Sequence, residues 1–411
     1  MNFYKLLYQF GITNNAKETF YTYVNFYDEC AKENLDIISS DKNMPINVPI
    51  LKDIMDMPNV KSIFKYPNLG FFSPSIVHDM RNNNNVSLEI DYSISFESNS
   101  ARYLHDYING KAVNEKSFIP TLHTILDNNY NLDPMFYMIE NFAKGNDTEE
   151  FYQNLVSIKK LMTCDMAYYD TTKKIKSVYQ DEEIEKIVKQ EINDFSHKSN
   201  PILEVVQEQH LIMRIILLMI MVAKFKIKGT REEKLKAQFQ YIIKFMSERL
   251  NTIFLRELTV ALNYLEYDNK NDKTEKRYRF FNKLESQNKE DLIRYIDNMA
   301  WDFTLARQHE IFFSSKPNSD ANFFIPFLFT YDKGLIEILE DFYCKNLLIF
   351  NKKNRTIPIP ENELNMSKIE EYGLNEYFTE EAFNDRITNE RPNLQQIYEE
   401  LFDEIIKIRI K

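Results

Sequence analysis

The chain has 411 residues, a formal charge of -11, 44% hydrophobic residues, and only 7 glycines and 13 prolines. The length suits two average domains or one elaborated domain with a substantial core. The acidity excludes a generic basic nucleic-acid coat, and the scarcity of chain breakers excludes a β-sandwich or an extended linker in favour of long helices.

In chain order, residues 1 to about 85 predict two helices and then a Pro- and Asn-punctuated stretch, roughly 45–74, wrapping the core as loops and short helices. A polar turn at 82–85 leads into 86–96, where Ile90, Tyr92, Ile94 and Phe96 point one way and Asp91, Ser93, Ser95 and Glu97 the other. That alternation predicts a strand. A helix over 100–108 follows, with Asn99 or Ser100 as its cap.

Residues 118 to about 265 read as mostly helical, with a charged amphipathic helix at 182–195 and an apolar one at 202–225. The apolar run 211–225 is interrupted by Arg214 and is short for a membrane span, so a buried core helix is expected. A loop at Gly229-Thr230 precedes a helix at 232–250. The basic residues Lys224, Lys226, Lys228, Arg231, Lys234 and Lys236 read as a solvated helix end and loop rather than a nucleic-acid stripe. The charged stretch 267–276 reads as a surface loop. A helix at 290–313, a strand at 322–330, a helix at 335–343 and a strand at 347–350 complete the ordered part, the last three as a parallel βαβ unit. Ligands of such sheets sit outside the carboxyl ends of the strands, the position of Glu97 and Asp332.

Four acidic segments carry the chemistry: Glu97-Ser98-Asn99 at a strand end, Glu257 in a helix, Asp302 with Asp297 in another, and Thr330-Tyr331-Asp332 at a second strand end. Buried carboxylates are costly unless paired with a cation or bound to a metal. Glu257 falls on or beside the stripe Leu250, Phe254, Leu258, Ala261, Leu265. Taken alone, a salt bridge is its commoner explanation. Asp297 and Asp302 are about 140° apart on one helix, so only one can face a small site squarely. Asp302 is the better ligand, and Asp297 can pair with Arg294. Asp332 can simply cap the next helix.

The ordered set resembles the PIN-like ribonucleases, whose pattern is Asp-x-Asn after a first strand, a Glu and an Asp on later helices, and Thr-x-Asp after a late strand. The matching pieces are Glu97-Ser98-Asn99, Glu257, Asp302 or Asp297, and Thr330-Tyr331-Asp332, about a third of the chain. The resemblance implies a mainly helical α/β fold with a parallel-sheet core at 86–360. That core includes a helical insertion at about 111–245, between an extension at 1–85 and a helical segment at 361–411. It implies a metal-dependent endoribonuclease of toxin or antiphage type. In it Glu97, Glu257, Asp302 and Asp332 hold Mg²⁺ or Mn²⁺, and Asn99, Thr330 and Lys333 serve the substrate or orient ligands. RNA is then the principal partner, with room for a protein regulator or self-association and no membrane.

Glu97 stands where the family has Asp. The extra methylene shifts the carboxylate by ~1.5 Å, and displacements of that order cost on the order of 100-fold in rate. The alternative is therefore a catalytically impaired scaffold that binds a protein partner. Other chemistries lack their motifs: there is no HExxH, Walker A, GxGxxG or GxSxG, and His309 reads as a core or surface histidine. The cysteines Cys30, Cys164 and Cys344 are dispersed, which argues against zinc and disulfides and for a reducing cytoplasm. Met1-Asn2-Phe3-Tyr4-Lys5 has no signal-peptide pattern.

Overall fold

Apolar and β-branched runs supply eight strands among the described residues. These are β1 (Leu35–Ser40), β2 (Val60–Lys61), β3 (Leu69–Phe72), β4 (Ile90–Phe96), β5 (Leu132–Asp133), β6 (Phe323–Phe329), β7 (Cys344–Phe350) and β8 (Arg355–Pro360). The computed structural model describes residues 3–409 apart from 46–47, 83, 147, 199, 271–277, 287, 316–319, 354 and 363. The strands form two sheets in a mixed, mainly helical α/β fold. One sheet, in the order β3-β1-β7-β8, is antiparallel throughout. The other runs β2-β6-β4-β5, with β4 parallel to both β5 and β6 and β2 antiparallel at the edge.

Two expectations need correction. β6, the helix Lys333–Asp341 and β7 do not make a parallel βαβ unit, because β6 and β7 belong to different sheets. All seven residues of each strand are buried, and each already has two neighbours within its own sheet. The segment 1–85 is more than helices and loops, since it supplies β1, β2 and β3. β1 carries no alternation to betray it: all six of its residues, Asp36 included, are buried.

By contacts the described residues form two units, 1–206 with 305–361, and 207–304 with 362–411. The boundaries at 206 and 304 fall inside the helices Asn200–Lys226 and Lys289–Phe312, unlike the 1–85, 86–360 and 361–411 division read from the sequence. All eight strands lie in the first unit. Its larger core surrounds the parallel strands. Ile94 and Phe96 of β4 and Ile325, Phe327 and Phe329 of β6 pack with Leu104, Leu122 and Leu155 from three helices. Full burial of such side chains stabilises by about 1.5–3 kcal/mol each. Phe96 and Phe329 meet edge to face at 5.5 Å and lock the register at the strand ends.

The described part of the second unit is helical. Pro201–Lys226 has the length and composition of a membrane span, with mean hydropathy 1.6. Met213 and residues 215–223 are nevertheless buried within the protein, as a core helix requires. Two residues of the basic run are ion-paired: Lys224 contacts Asp268 at 2.8 Å and Glu285 at 2.6 Å, and Lys226 pairs with Glu404. Of the expected charged loop, residues 267–270 extend the helix Leu255–Lys270, and 271–276 lie outside the described residues.

Candidate active site

The parallel pair β4–β6 keeps Phe96 opposite Phe329, so the chain leaves the sheet at Glu97 and Thr330 side by side. The Glu97 N–H donates to the Phe329 carbonyl at 3.1 Å. Glu97 then caps the helix Ser98–Ile108, its Oε2 accepting the Asn99 N–H at 2.9 Å. The cap is thus two residues before the expected Asn99 and three before Ser100. Ser100 completes the box instead: its Oγ accepts the Glu97 N–H at 3.1 Å and donates to the Phe329 carbonyl at 2.6 Å. The Thr330 hydroxyl ties the two strand ends together, donating to Glu97 Oε2 at 3.3 Å and accepting the Asp332 N–H at 3.1 Å. Asp332 does cap the next helix, but through Oδ1 alone, which accepts from Gly334 and Leu335 at 2.7 and 3.1 Å.

A third carboxylate completes the group, and it is Glu140, which the sequence reading passed over. It sits on the helix Met135–Lys144, whose start is fixed from β4. There Ser95 Oγ donates to Asp133 Oδ1 at 2.6 Å and accepts the Phe136 N–H at 3.1 Å. Glu140 is 4% exposed. Its Oε2 accepts from Ser98 Oγ at 2.8 Å and its Oε1 meets Lys144 Nζ at 2.5 Å. The signal was present: one acid inside the apolar run Met135-Phe136-Tyr137-Met138-Ile139, with a lysine four residues on.

The electrostatics single out Glu97. Burial first, and then the negative charges of Glu140 and Asp332, push its carboxyl up to about 8, against the opposing pull of the Asn99 N–H and Lys144. Glu97 therefore holds a proton at neutral pH where an ordinary glutamate does not. Its Oε1 and Asp332 Oδ2 have no hydrogen-bond partner among the described residues.

Of the residues singled out in the sequence, the first unit brings Glu97, Asn99, Thr330 and Asp332 together. Lys333 is the exposed first residue of the following helix. Glu257, Asp297 and Asp302 belong to the second unit. Glu257 is wholly buried, as its place on the stripe predicted. Asp297 pairs with His210 at 3.5 Å and Arg214 at 3.9 Å rather than with Arg294, which takes Asp291 at 2.7 Å. Arg214 and His210 reach Asp297 from another helix, while Arg294 finds its partner in the preceding turn. His309 is a core histidine, its Nε2 at 2.9 Å from the Pro326 carbonyl and its basicity lowered by burial.

Among the described residues no group of three or more His, Cys, Asp or Glu is already arranged to hold a metal ion. Comparison with protein-family models, curated proteins and solved structures gives no match to this chain.

Proposed function

We propose that the first unit is a metal-dependent endoribonuclease of PIN-like type, with Glu97, Glu140 and Asp332 as its acidic centre. One observation carries the reading: at the carboxyl ends of adjacent parallel strands, buried Glu97 lies within electrostatic reach of both Glu140 and Asp332, a surplus of negative charge that a divalent cation would neutralise. Glu97 Oε1 and Asp332 Oδ2 would hold Mg²⁺ or Mn²⁺. The ion, when bound, supplies Lewis acidity and a water acidic enough to ionise near neutral pH. The Thr330 hydroxyl fixes the Glu97 carboxyl, the Asn99 N–H favours its charged form, and Lys144 balances Glu140. The long reach of Glu97 is accommodated by its role as helix cap, which ties one oxygen to the backbone. A toxin or defence setting follows from the resemblance alone.

The test is cleavage of single-stranded RNA in Mn²⁺ by the full chain and by Asp332→Asn. Cleavage by the parent that collapses in the variant supports the reading; equal cleavage by both removes it. A second reading, a scaffold that has lost catalysis, is favoured by the Lys144–Glu140 pair, which neutralises one of the three acids internally. No cleavage by the parent across varied RNAs selects it.

A further inference from the structure

Beside the three carboxylates the first unit opens into a cavity of about 330 Å³. It shares Ser98, Asn99 and Lys144 with the acidic centre. Among the described residues two cations line it, Arg102 and Lys144, with one further carboxylate, Glu150. Two helices, Ser98–Ile108 and Glu149–Met162, begin at its wall, capped by the side chains of Glu97 and Thr148. Arg102 is exposed, and its guanidinium leans on the Asn99 amide at 3.4 Å. A guanidinium in that position presents a fork of donors to a phosphate.

The remaining wall is rich in amides. Asn141 donates to the Tyr137 carbonyl at 2.8 Å and meets Asn146 at 3.5 Å, while buried Asn154 bonds the Tyr137 side chain. Each primary amide offers two donors and two acceptor lone pairs, so these local bonds leave capacity over. Paired donors and acceptors match the edges of unstacked bases, by which single-stranded RNA is read. The volume is also informative. At about 330 Å³ the cavity is at the small end of ligand sites. A phosphate ion alone leaves most of it unfilled.

We propose that this cavity binds one nucleotide of the substrate, next to the scissile bond. The phosphate lies at Arg102, and the base lies against Asn141, Asn146 and Asn154. The assignment rests on the nuclease reading for its position in the substrate, but nucleotide binding can be measured without catalysis. The experiment is calorimetric titration of the full chain with each of the four 5′-nucleoside monophosphates, with ribose 5-phosphate and with inorganic phosphate, in EDTA and again in millimolar Mn²⁺.

At least one nucleotide is expected to bind tenfold or more tightly than inorganic phosphate in one of the two conditions. Arg102→Ala and Asn146→Ala, both at exposed positions, are each expected to weaken it about tenfold. Nucleotides binding no better than inorganic phosphate in either condition, or unchanged by both substitutions, overturn the assignment. Asp332→Asn separates the two readings, since it is expected to lose Mn²⁺-dependent cleavage and to keep nucleotide affinity in EDTA. A parent that binds nucleotide but never cleaves RNA rejects the nuclease and keeps the cavity. A parent that cleaves RNA but ignores mononucleotides does the reverse.

Discussion

Each sheet of the first unit buries an acid, and the two acids are treated differently. In the antiparallel sheet, Asp36 of β1 is 5% exposed and accepts from the Asn351 amide at 2.7 Å. At the end of the parallel pair, Glu97 is 6% exposed and has two more carboxylates for neighbours. Burial alone thus says little. An acid with a hydrogen-bond donor packed against it is part of a packing solution, whereas one flanked by two further carboxylates carries a cost that folding alone does not explain. Parallel strands also end together, so the loops that leave them converge, which antiparallel strands cannot arrange.

The largest expected effect is on chemistry. Asp332→Asn should lower Mn²⁺-dependent RNA cleavage on the order of 100-fold or more, while Asp36→Asn should leave it within twofold. If the two variants fall equally, the contrast between the sheets is only one of stability. Glu140→Gln belongs with Asp332→Asn, and full activity in that variant would return the third acid to a structural role.

Next comes the pH dependence of stability. The folded-state affinity of Glu97 for its proton is raised above the unfolded value. Its stabilising contribution is therefore complete below about pH 4.5 and is lost as pH rises through about 8. Chemical denaturation between pH 5 and 9 should show stability falling by a few kcal/mol from this group, and Glu97→Gln should flatten the slope. An unchanged slope in the variant would show that another group titrates.

A smaller effect is expected from metal. Ionising Glu97 and binding a cation favour one another, so Mn²⁺ at about ten times its Kd should raise the Tm by a few degrees, more at pH 8.5 than at pH 6. Asp36→Asn should keep that rise and Asp332→Asn should lose it, as followed by scanning calorimetry. Smallest of all is the half-exposed ion pairing of Asp297, where Asp297→Ala should cost no more than about 1 kcal/mol. A larger loss in denaturant titration would mean that its contacts with His210 and Arg214 organise the second unit.

Much of the site was legible because strand ends announce themselves. The alternation through Ile90, Tyr92, Ile94 and Phe96 and the apolar run before Thr330 located β4 and β6. Of the four acids expected to converge, Glu97 and Asp332 interact electrostatically near those strand ends, while Glu257 and Asp302 belong to the other unit. Glu140 was hidden because a helical acid amid apolar residues looks like any other such acid until its neighbours are known. Glu257 has that same signature and lies in the other unit. β1 was hidden because burial on both faces erases the period of two. The pairing of β6 and β7 with different sheets was beyond local reading, because β2 and β1, far earlier in the chain, supply their partners.

The hydroxyl of Thr330 reaches Glu97 across 233 residues of chain. Such separation makes the acidic centre a late product of synthesis. At ~5–20 residues per second, roughly 10 to 50 seconds pass between the translation of Glu97 and that of Thr330. Until then β4 lacks its longer parallel neighbour, and non-local pairing of this kind forms slowly once its partner arrives. A nascent chain shorter than this carries the first acids of the centre without the last. Chains truncated before β6 lack both Thr330 and Asp332, so they cannot assemble the acidic cluster at the strand ends whatever else of the first unit has folded.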